Sequence, residues 1–144
     1  MRKISITAAA LVVAGAAFAH TGVKNPAVKA RMDAMSAIGA EMKVLGQMAK
    51  GETTFDAKRA KSAAAAIAKH AAATPKLFKA PEDDPKSEAR EEIWSNFSDF
   101  SAKSKDLQKV AAQWSEDLGS KSDLPKAMKA LGETCKACHK AYRE

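Results

Sequence analysis

The two cysteines of this chain lie close to a histidine near its C-terminus, and the spacing of the three residues is the clearest chemical signal in the sequence. Two residues separate Cys135 from Cys138, and His139 follows directly. Thiols and imidazoles form disulfides, redox pairs, zinc sites and covalent haem attachments. The spacing and the surrounding sequence must therefore be used to distinguish between these four kinds of site.

Three of these chemistries fit the surroundings poorly. A disulfide between residues so close together closes a very small loop, so it removes little entropy from the unfolded chain. A thioredoxin-like redox pair normally opens a helix in a mixed α/β pattern, whereas this pair lies inside the last helix of a helical chain. A zinc site needs a fourth ligand, and no second cluster supplies one, although His70 or His20 can serve in principle.

The fourth chemistry, covalent haem attachment, has this spacing as its signature. Haem carries two vinyl groups on neighbouring pyrrole rings, and two thiols one helical turn apart can each form a thioether bond with one of them. The histidine that follows is then placed to offer a ring nitrogen to the iron. We therefore predict one haem c, attached through Cys135 and Cys138, with His139 as an axial ligand.

The first residues have the pattern of a secretory signal peptide, which agrees with haem attachment outside the cytoplasm. Arg2 and Lys3 precede a short apolar stretch, and positions 17–19 read A-F-A, an A-x-A cleavage site. The apolar stretch is shorter than the roughly 20 residues of a membrane-spanning helix. The sequence thus predicts a signal over residues 1–19, followed by one periplasmic domain over residues 20–144 without a membrane span.

The charge pattern indicates which classes of macromolecule the protein is suited to bind. The chain has 24 Lys and Arg against 17 Asp and Glu, a formal net charge of +7, which loss of the signal would lower by two. The charges are interspersed and no basic run alternates with aromatic residues, so nucleic-acid binding is not indicated. A modest basic excess suits redox partner proteins with acidic surfaces. No acid–base pair or nucleophile indicates catalysis, so we expect a protein that is not an enzyme.

Apolar periodicity and helix punctuation predict four helices. Their expected bounds are residues 26–50, 54 or 55 to 73, 87–118, and 122 or 123 to the C-terminus. Pro75 sets the end of the second helix, because the residue before a proline avoids helical geometry. The segment that follows, residues 74–88, holds three prolines and is expected to be the longest loop. The pattern predicts an all-α, antiparallel four-helix bundle with covalently attached haem.

The pattern as a whole resembles the class II c-type cytochromes, the cytochrome c-prime family. The resemblance covers essentially all of residues 20–144. It rests on the terminal motif CKACHKAYR, on RMDAMSAIGAEM in the first helix and on EIW in the third. It implies a haem held between the helices of a four-helix bundle. It also implies that His139 is the proximal ligand and that Arg143 lies near the proximal side.

This family has two branches, which differ at one position of the first helix. In one branch the residue there cannot ligate iron, and the five-coordinate iron binds small gases. In the other a methionine fills the sixth position, and the resemblance places Met35 at it. The expected function is therefore electron transfer by low-spin, His/Met-ligated haem. The alternatives are a five-coordinate protein that binds nitric oxide or carbon monoxide, and a haem-free bundle with a disulfide.

The residue pattern alone leaves the role of Met35 open, because a methionine in an apolar helix stripe usually fills space in the core. Met32 lies one turn earlier on nearly the same face and is the second candidate for the iron. Met42 and Met48 lie roughly 10 and 20 Å further along the helix, at about 1.5 Å per residue, and are expected to pack away from the iron.

Two arginines are candidates for contacts with the haem. Arg31, four residues before Met35, is expected either to bind a haem propionate, since arginine matches carboxylates, or to be a solvated charge at the helix edge. Arg143 is a favourable charge at a helix C-terminus in any case, and the resemblance favours a place close to the haem. Trp94, Phe97 and Trp114 are expected to pack in the bundle core. The sequence leaves open whether the protein is a monomer or a homodimer.

Overall fold

The computed structural model describes residues 22–144, so the predicted signal peptide and His20 lie outside the described residues. The helical segments are α1 (Pro26–Lys50), α2 (Ala57–Leu77), α3 (Glu92–Ser95), α4 (Phe97–Asp117) and α5 (Leu124–Tyr142). A short 3-10 turn over Lys121–Asp123 leads into α5. The four long helices α1, α2, α4 and α5 form the predicted antiparallel bundle, in which successive long helices pack together and α1 also packs on α5.

The bounds of α1 are the ones that its capping residues predict. The side-chain oxygen of Asn25 accepts hydrogen bonds from the backbone N–H groups of Ala27 and Val28, at 2.9 and 3.2 Å. Pro26 occupies the first helical position, where no N–H is needed. At the other end Gly51 adopts a left-handed φ of 78°, a conformation that glycine reaches without steric strain.

The prediction that α2 ends before Pro75 is wrong, because the helix continues to Leu77 with the proline inside it. Pro75 has no N–H to donate to the carbonyl of Ala71, four residues earlier. The hydroxyl of Ser104 on α4 donates to that carbonyl instead, at 2.7 Å. A side chain of the neighbouring helix thus replaces the missing helical hydrogen bond and lets α2 continue.

Two predicted helix starts also differ from the structure. α2 begins at Ala57, since the side chain of Asp56 accepts a hydrogen bond from the N–H of Arg59 and acts as its N-cap. The third helix, expected over residues 87–118, begins only at Glu92 and is interrupted at Asn96, where φ is −132° and ψ is 44°. The last helix begins after Asp123, as predicted.

The third helix starts late because residues 78–91, which we call the strap, are held in a non-helical conformation from both sides. The buried carboxylate of Asp84 accepts hydrogen bonds from the backbone N–H groups of Lys24, Asn25 and Lys86, at 2.8, 3.0 and 2.9 Å. The bonds from Lys24 and Asn25 attach the middle of the strap to the start of α1, and the bond from Lys86 holds a turn within the strap.

The end of the strap pairs with the C-terminus of the chain. The N–H of Arg90 donates to the carbonyl of Tyr142 at 3.1 Å, and the N–H of Glu144 donates to the carbonyl of Glu88 at 3.0 Å. The strap therefore contacts the beginning of α1 and the end of α5, and it closes one end of the bundle.

The core consists of two apolar clusters. The larger one fills the middle of the bundle, where α2 contributes small side chains that let its neighbours approach closely: Ala60, Ala63 and Ala64. The smaller one lies at the strap end of the bundle and is formed by Phe78, Ile93, Phe100 and Tyr142. Trp114 packs on the first cluster, and Trp94 and Phe97 pack on the second, as predicted. Within residues 22–144, none of the helices combines the length and apolar character that crossing a bilayer requires.

Candidate functional site

A cavity of about 450 Å³ lies between α1, α4, α5 and the strap. Its volume falls in the range of about 300–1,000 Å³ that is usual for pockets that hold small molecules and cofactors. The side chains that the sequence singled out for haem and iron all line this cavity: Met35, Cys135, Cys138 and His139. Residues that lie about a hundred positions apart in the sequence therefore share one site.

The α5 side of the cavity carries the thiols and the imidazole. Cys135 and Cys138 are half-buried and free, and burial raises the pKa of both thiols. Desolvation and the neighbouring cation of Arg143 lower the pKa of His139, and the carboxylate of Glu88 acts in the opposite direction. The net lowering favours the neutral imidazole, which is the form that binds a metal.

The α1 side of the cavity is rich in methionine. Met32 and Met35 are half-buried and line it. Met42, which was expected to pack away from the iron, lines the same cavity. Met48 is only 5% exposed and belongs to the bundle core, as expected. α1 therefore places three methionines at the wall of the cavity, of which the resemblance selects Met35.

The rest of the wall is mostly apolar, and its two buried hydroxyls are already engaged. The apolar part is formed by Val28, Ile38, Phe78, Ile93, Phe100 and Leu107. Ser104 donates to the carbonyl of Ala71, and Thr74 donates to the carbonyl of His70 at 2.9 Å. Both hydroxyl protons thus point to backbone oxygens of α2. An apolar wall with few free donors is typical of a pocket for a large hydrophobic cofactor.

Arg31 lines the cavity from α1, but its surroundings differ from those that the sequence suggested. Its side chain is 3% exposed, so the prediction of a solvated charge at the helix edge is wrong. Its Nε donates to the carbonyl of Leu77 at 3.1 Å, and its Nη1 and Nη2 donate to the carbonyls of Glu82 and Ala80 at 2.7 and 2.6 Å.

Aromatic rings enclose the same guanidinium. Its central carbon lies 4.8 Å from the ring centroid of Phe78 and 5.3 Å from that of Trp94. The Nε1–H of Trp94 donates to the carbonyl of Phe78 at 2.8 Å. Burial lowers the pKa of Arg31, and the carboxylates of Glu82 and Asp83 raise it. Because a guanidinium does not lose its proton under ordinary conditions, the side chain is a cation that is buried against the strap.

Arg143 follows α5 and lines the cavity next to His139. Its Nε and Nη2 both contact the Oε2 atom of Glu88, at 2.6 and 2.5 Å. The side chain is half-exposed, so this ion pair forms at the rim of the cavity and attaches the strap to the end of α5. Its place beside His139 agrees with the position that the family resemblance implies.

The hydrogen bond between Tyr142 and Asp99 was not predicted from the sequence. The phenol of Tyr142 is buried, packs edge-on against Phe100 with ring centroids 5.4 Å apart, and donates to Oδ2 of Asp99 at 2.5 Å. Burial and this hydrogen bond raise the pKa of Tyr142 to about 12. The position of Tyr142 after the haem motif does not indicate its partner, because Asp99 lies on another helix.

The donor set in the cavity fits a covalently attached haem. Two free thiols lie one helical turn apart, an imidazole follows them, and thioether sulfurs stand on the facing helix. The zinc alternative with His70 has no support, because the described part of the chain holds no group of three or more His, Cys, Asp or Glu that could bind a metal ion. The large apolar wall has no role in a disulfide or a zinc site.

The sequence of this chain matches a known protein family. Residues 26–143 match the family model described as Cytochrome C′. The chain is 38% identical over 118 residues to cytochrome c-556 of Agrobacterium tumefaciens strain apple 185, with 79% of this chain and 91% of that protein covered. It is 38% identical over 123 residues to cytochrome c′ of Pararhodospirillum photometricum, with 81% and 95% covered.

A solved structure supports the same assignment. The NMR-validated structure of oxidized R. palustris cytochrome c556 matches with a TM-score of 0.74 and 27% identity, and the match covers 83% of this chain and 96% of that one. The chain therefore belongs to the cytochrome c′ family of class II c-type cytochromes, and its cofactor is covalently attached haem c.

Proposed function

We propose that this chain is a periplasmic electron-transfer protein in which His139 and Met35 are the two axial ligands of the haem iron. Family membership supports a haem protein that acts in electron transfer or in gas binding. One observation supports the finer assignment: Met35 on α1 and His139 on α5 line the same cavity.

Each residue of the site then has a defined task. Cys135 and Cys138 would hold the haem covalently, and His139 and Met35 would bind its iron. When bound, the haem supplies an iron that gains or loses one electron, and a thioether ligand favours its reduced form and raises its potential. With both side chains bound to the iron, no position would be left for a substrate, and this would favour electron transfer.

The wall of the cavity supports this role because it offers few free polar groups. Ser104 and Thr74 have their hydroxyl protons bound to carbonyls of α2, and the remaining lining is largely apolar. Two of the five N–H groups of Arg31 are left after its three hydrogen bonds, so the predicted contact with a haem propionate stays part of the proposal.

We further propose that electrons enter and leave on the α5 side, next to the attachment site. Lys136 and Lys140 are exposed on α5 beside the cysteines and the histidine, and Lys103 and Arg143 line the cavity itself. Basic groups at this place attract an acidic partner protein and orient it towards the haem.

The gas-binding alternative is supported by the match to a protein named cytochrome c′, whose identity of 38% equals that of the match to cytochrome c-556. It requires that Met35 does not bind the iron, or binds it so weakly that nitric oxide or carbon monoxide displaces it. The two functions therefore differ in whether the sixth position of the iron is filled or open.

Voltammetry of the purified haem protein, combined with carbon monoxide titration of the reduced form, tests the proposal. We expect a reversible one-electron wave and little uptake of carbon monoxide, because Met35 must leave before the gas can bind. Tight binding of carbon monoxide by the unmodified protein, with a high-spin spectrum before addition, would support the gas-binding function instead.

A further inference from the structure

We propose that Arg31 is a positioning residue that keeps Met35 in place, because three hydrogen bonds of its side chain fix the end of α2 and the start of the strap to α1. This inference rests on the proposed axial ligation by Met35. It gives Arg31 a role towards the sixth iron position that differs from a contact with the haem propionates.

Arg31 can form its three hydrogen bonds because the guanidinium is planar and carries donors on three nitrogen atoms. The accepting carbonyls belong to Leu77, Ala80 and Glu82, which are spread over one turn of chain where α2 passes into the strap. Only a planar fork of N–H groups reaches three such oxygens at once, whereas a lysine ammonium is a single point on a flexible stem. The side chain is also 3% exposed, so water cannot replace a lost hydrogen bond without opening the structure.

The position of Arg31 on α1 links these bonds to Met35. Residues four apart on a helix are neighbours on one face, with Cβ atoms about 5–6 Å apart. Both side chains line the cavity. Movement of this part of α1 away from the cavity would therefore break the three hydrogen bonds as well as the bond from Met35 to the iron.

The strap extends this linkage to the helix that carries His139. Asp84 binds the backbone at the start of α1, and Glu88 forms the ion pair with Arg143 after α5. The strap thus joins the helix of one proposed axial ligand to the helix of the other. A loosened strap is expected to raise the fraction of molecules in which Met35 has left the iron.

The fraction of molecules in which Met35 has left the iron can be measured through the carbon monoxide affinity of the reduced protein. The gas binds only to molecules with an open sixth position. We expect Arg31→Gln to raise the affinity by about tenfold or more, a coupling of ordinary size between two sites. Arg31→Lys keeps the charge and loses the fork, so it should have a similar effect. Arg90→Gln is the matched control, since Arg90 is an exposed arginine of the strap, and it should leave the affinity unchanged.

A second variant is expected to loosen the strap while Arg31 itself is not replaced. Trp94→Phe removes the N–H that donates to the carbonyl of Phe78 and keeps an aromatic ring over the guanidinium. We expect a smaller rise in carbon monoxide affinity in the same direction. This variant separates the role of the strap from a direct contact of Arg31 with a propionate.

The decisive comparison is a double-mutant cycle with Met35→Ala. If Arg31 acts through Met35, Arg31→Gln changes the affinity in the native background and has no further effect once Met35 is absent. An equal rise in both backgrounds would overturn the inference. Amide hydrogen exchange of residues 78–91, measured on the same proteins, should be faster in both Arg31 variants and unchanged in Arg90→Gln.

The two levels of the proposal fail in different ways. Faster exchange of the strap, together with unchanged carbon monoxide affinity, would overturn the positioning role and leave ligation by Met35 intact. A native protein that already binds carbon monoxide as tightly as Met35→Ala would overturn the ligation itself, and the positioning role with it.

Discussion

The hydroxyl of Ser104 donates a 2.7 Å hydrogen bond to the carbonyl oxygen of Ala71, the same oxygen that Pro75 leaves without a helical donor. The bond is buried and joins α4 to α2 at the wall of the cavity. It explains why a proline inside α2 does not end the helix. Ser104 is therefore needed because of the proline, and the two residues should be coupled in stability.

Removal of this hydroxyl tests the coupling. Ser104→Ala leaves a buried carbonyl unsatisfied, so we expect the free energy of unfolding to fall by roughly 1–3 kcal/mol, the usual effect of such a loss. Pro75→Ala restores an N–H four residues after Ala71, so the double variant should recover much of that stability. Urea denaturation of the four proteins measures the cycle, and strictly additive effects would show that the two positions are independent.

Asp84 should make the protein sensitive to acid. Hydrogen bonds from the backbone N–H groups of Asn25, Lys86 and Lys24 lower the pKa of its carboxyl below the usual value. A carboxyl with a lowered folded-state pKa stabilises the protein fully above its unfolded pKa of about 3.9. That stabilisation is lost as the pH falls through the lower folded value.

Asp84→Asn is the variant that isolates this contribution. An amide offers one acceptor oxygen where the carboxylate offers two, so we expect lower stability than the native protein at pH 7. The difference between the two proteins should shrink when denaturation is repeated at strongly acidic pH. A difference that stays constant down to the lowest pH would contradict the role of the charged carboxylate.

The single tyrosine of the sequence allows a direct titration. Burial and the hydrogen bond to Asp99 raise the pKa of Tyr142 to about 12, against about 10 for a free phenol. Because the folded-state pKa is raised, this group stabilises the protein below pH 10 and ceases to do so as the pH rises towards 12. Ultraviolet titration of the folded protein should show no phenolate near pH 10, and Asp99→Asn should lower the pKa. Ionisation near pH 10 in the native protein would contradict the buried hydrogen bond.

The charge on α5 should control the rate of electron exchange with an anionic reagent. Lys136→Glu and Lys140→Glu place negative charge beside the attachment site, so oxidation of the reduced protein by ferricyanide should slow several-fold at low ionic strength. The effect should fade as salt screens the charges. The matched controls, Lys58→Glu and Lys69→Glu, make the same charge change on exposed positions of α2. Equal slowing by all four variants would show that net charge matters rather than the α5 surface.

The parts of the fold that local chemistry determines were predictable from the sequence. Asn25, Pro26 and Gly51 fixed the bounds of α1, because caps and helix stops act within a few residues. The spacing of Cys135 and Cys138 indicated haem for the same reason. Features that depend on a distant partner were not predictable, and the continuation of α2 through Pro75 is the clearest case, since it needs a hydroxyl from α4.

The surroundings of Arg31 also depend on distant residues and were therefore not predictable from the sequence. Its distance of four residues from Met35 indicated a shared helix face, but nothing in the local sequence shows that the carbonyls of Leu77, Ala80 and Glu82 surround its side chain. The late start of the third helix has a similar cause. The backbone pairing of the strap with the C-terminal residues overrides the helical tendency of residues 87–91.

The most direct test of the account is the absorption spectrum of the oxidised protein and of three variants, Met35→Ala, Met32→Ala and Met42→Ala. All three methionines line the cavity, so the variants are matched in place and in chemistry. We predict a low-spin spectrum with a sulfur-to-iron charge-transfer band in the native protein, in Met32→Ala and in Met42→Ala, and loss of that band in Met35→Ala alone. A band that survives in Met35→Ala, or that is absent from the native protein, would contradict the assignment of Met35 to the iron.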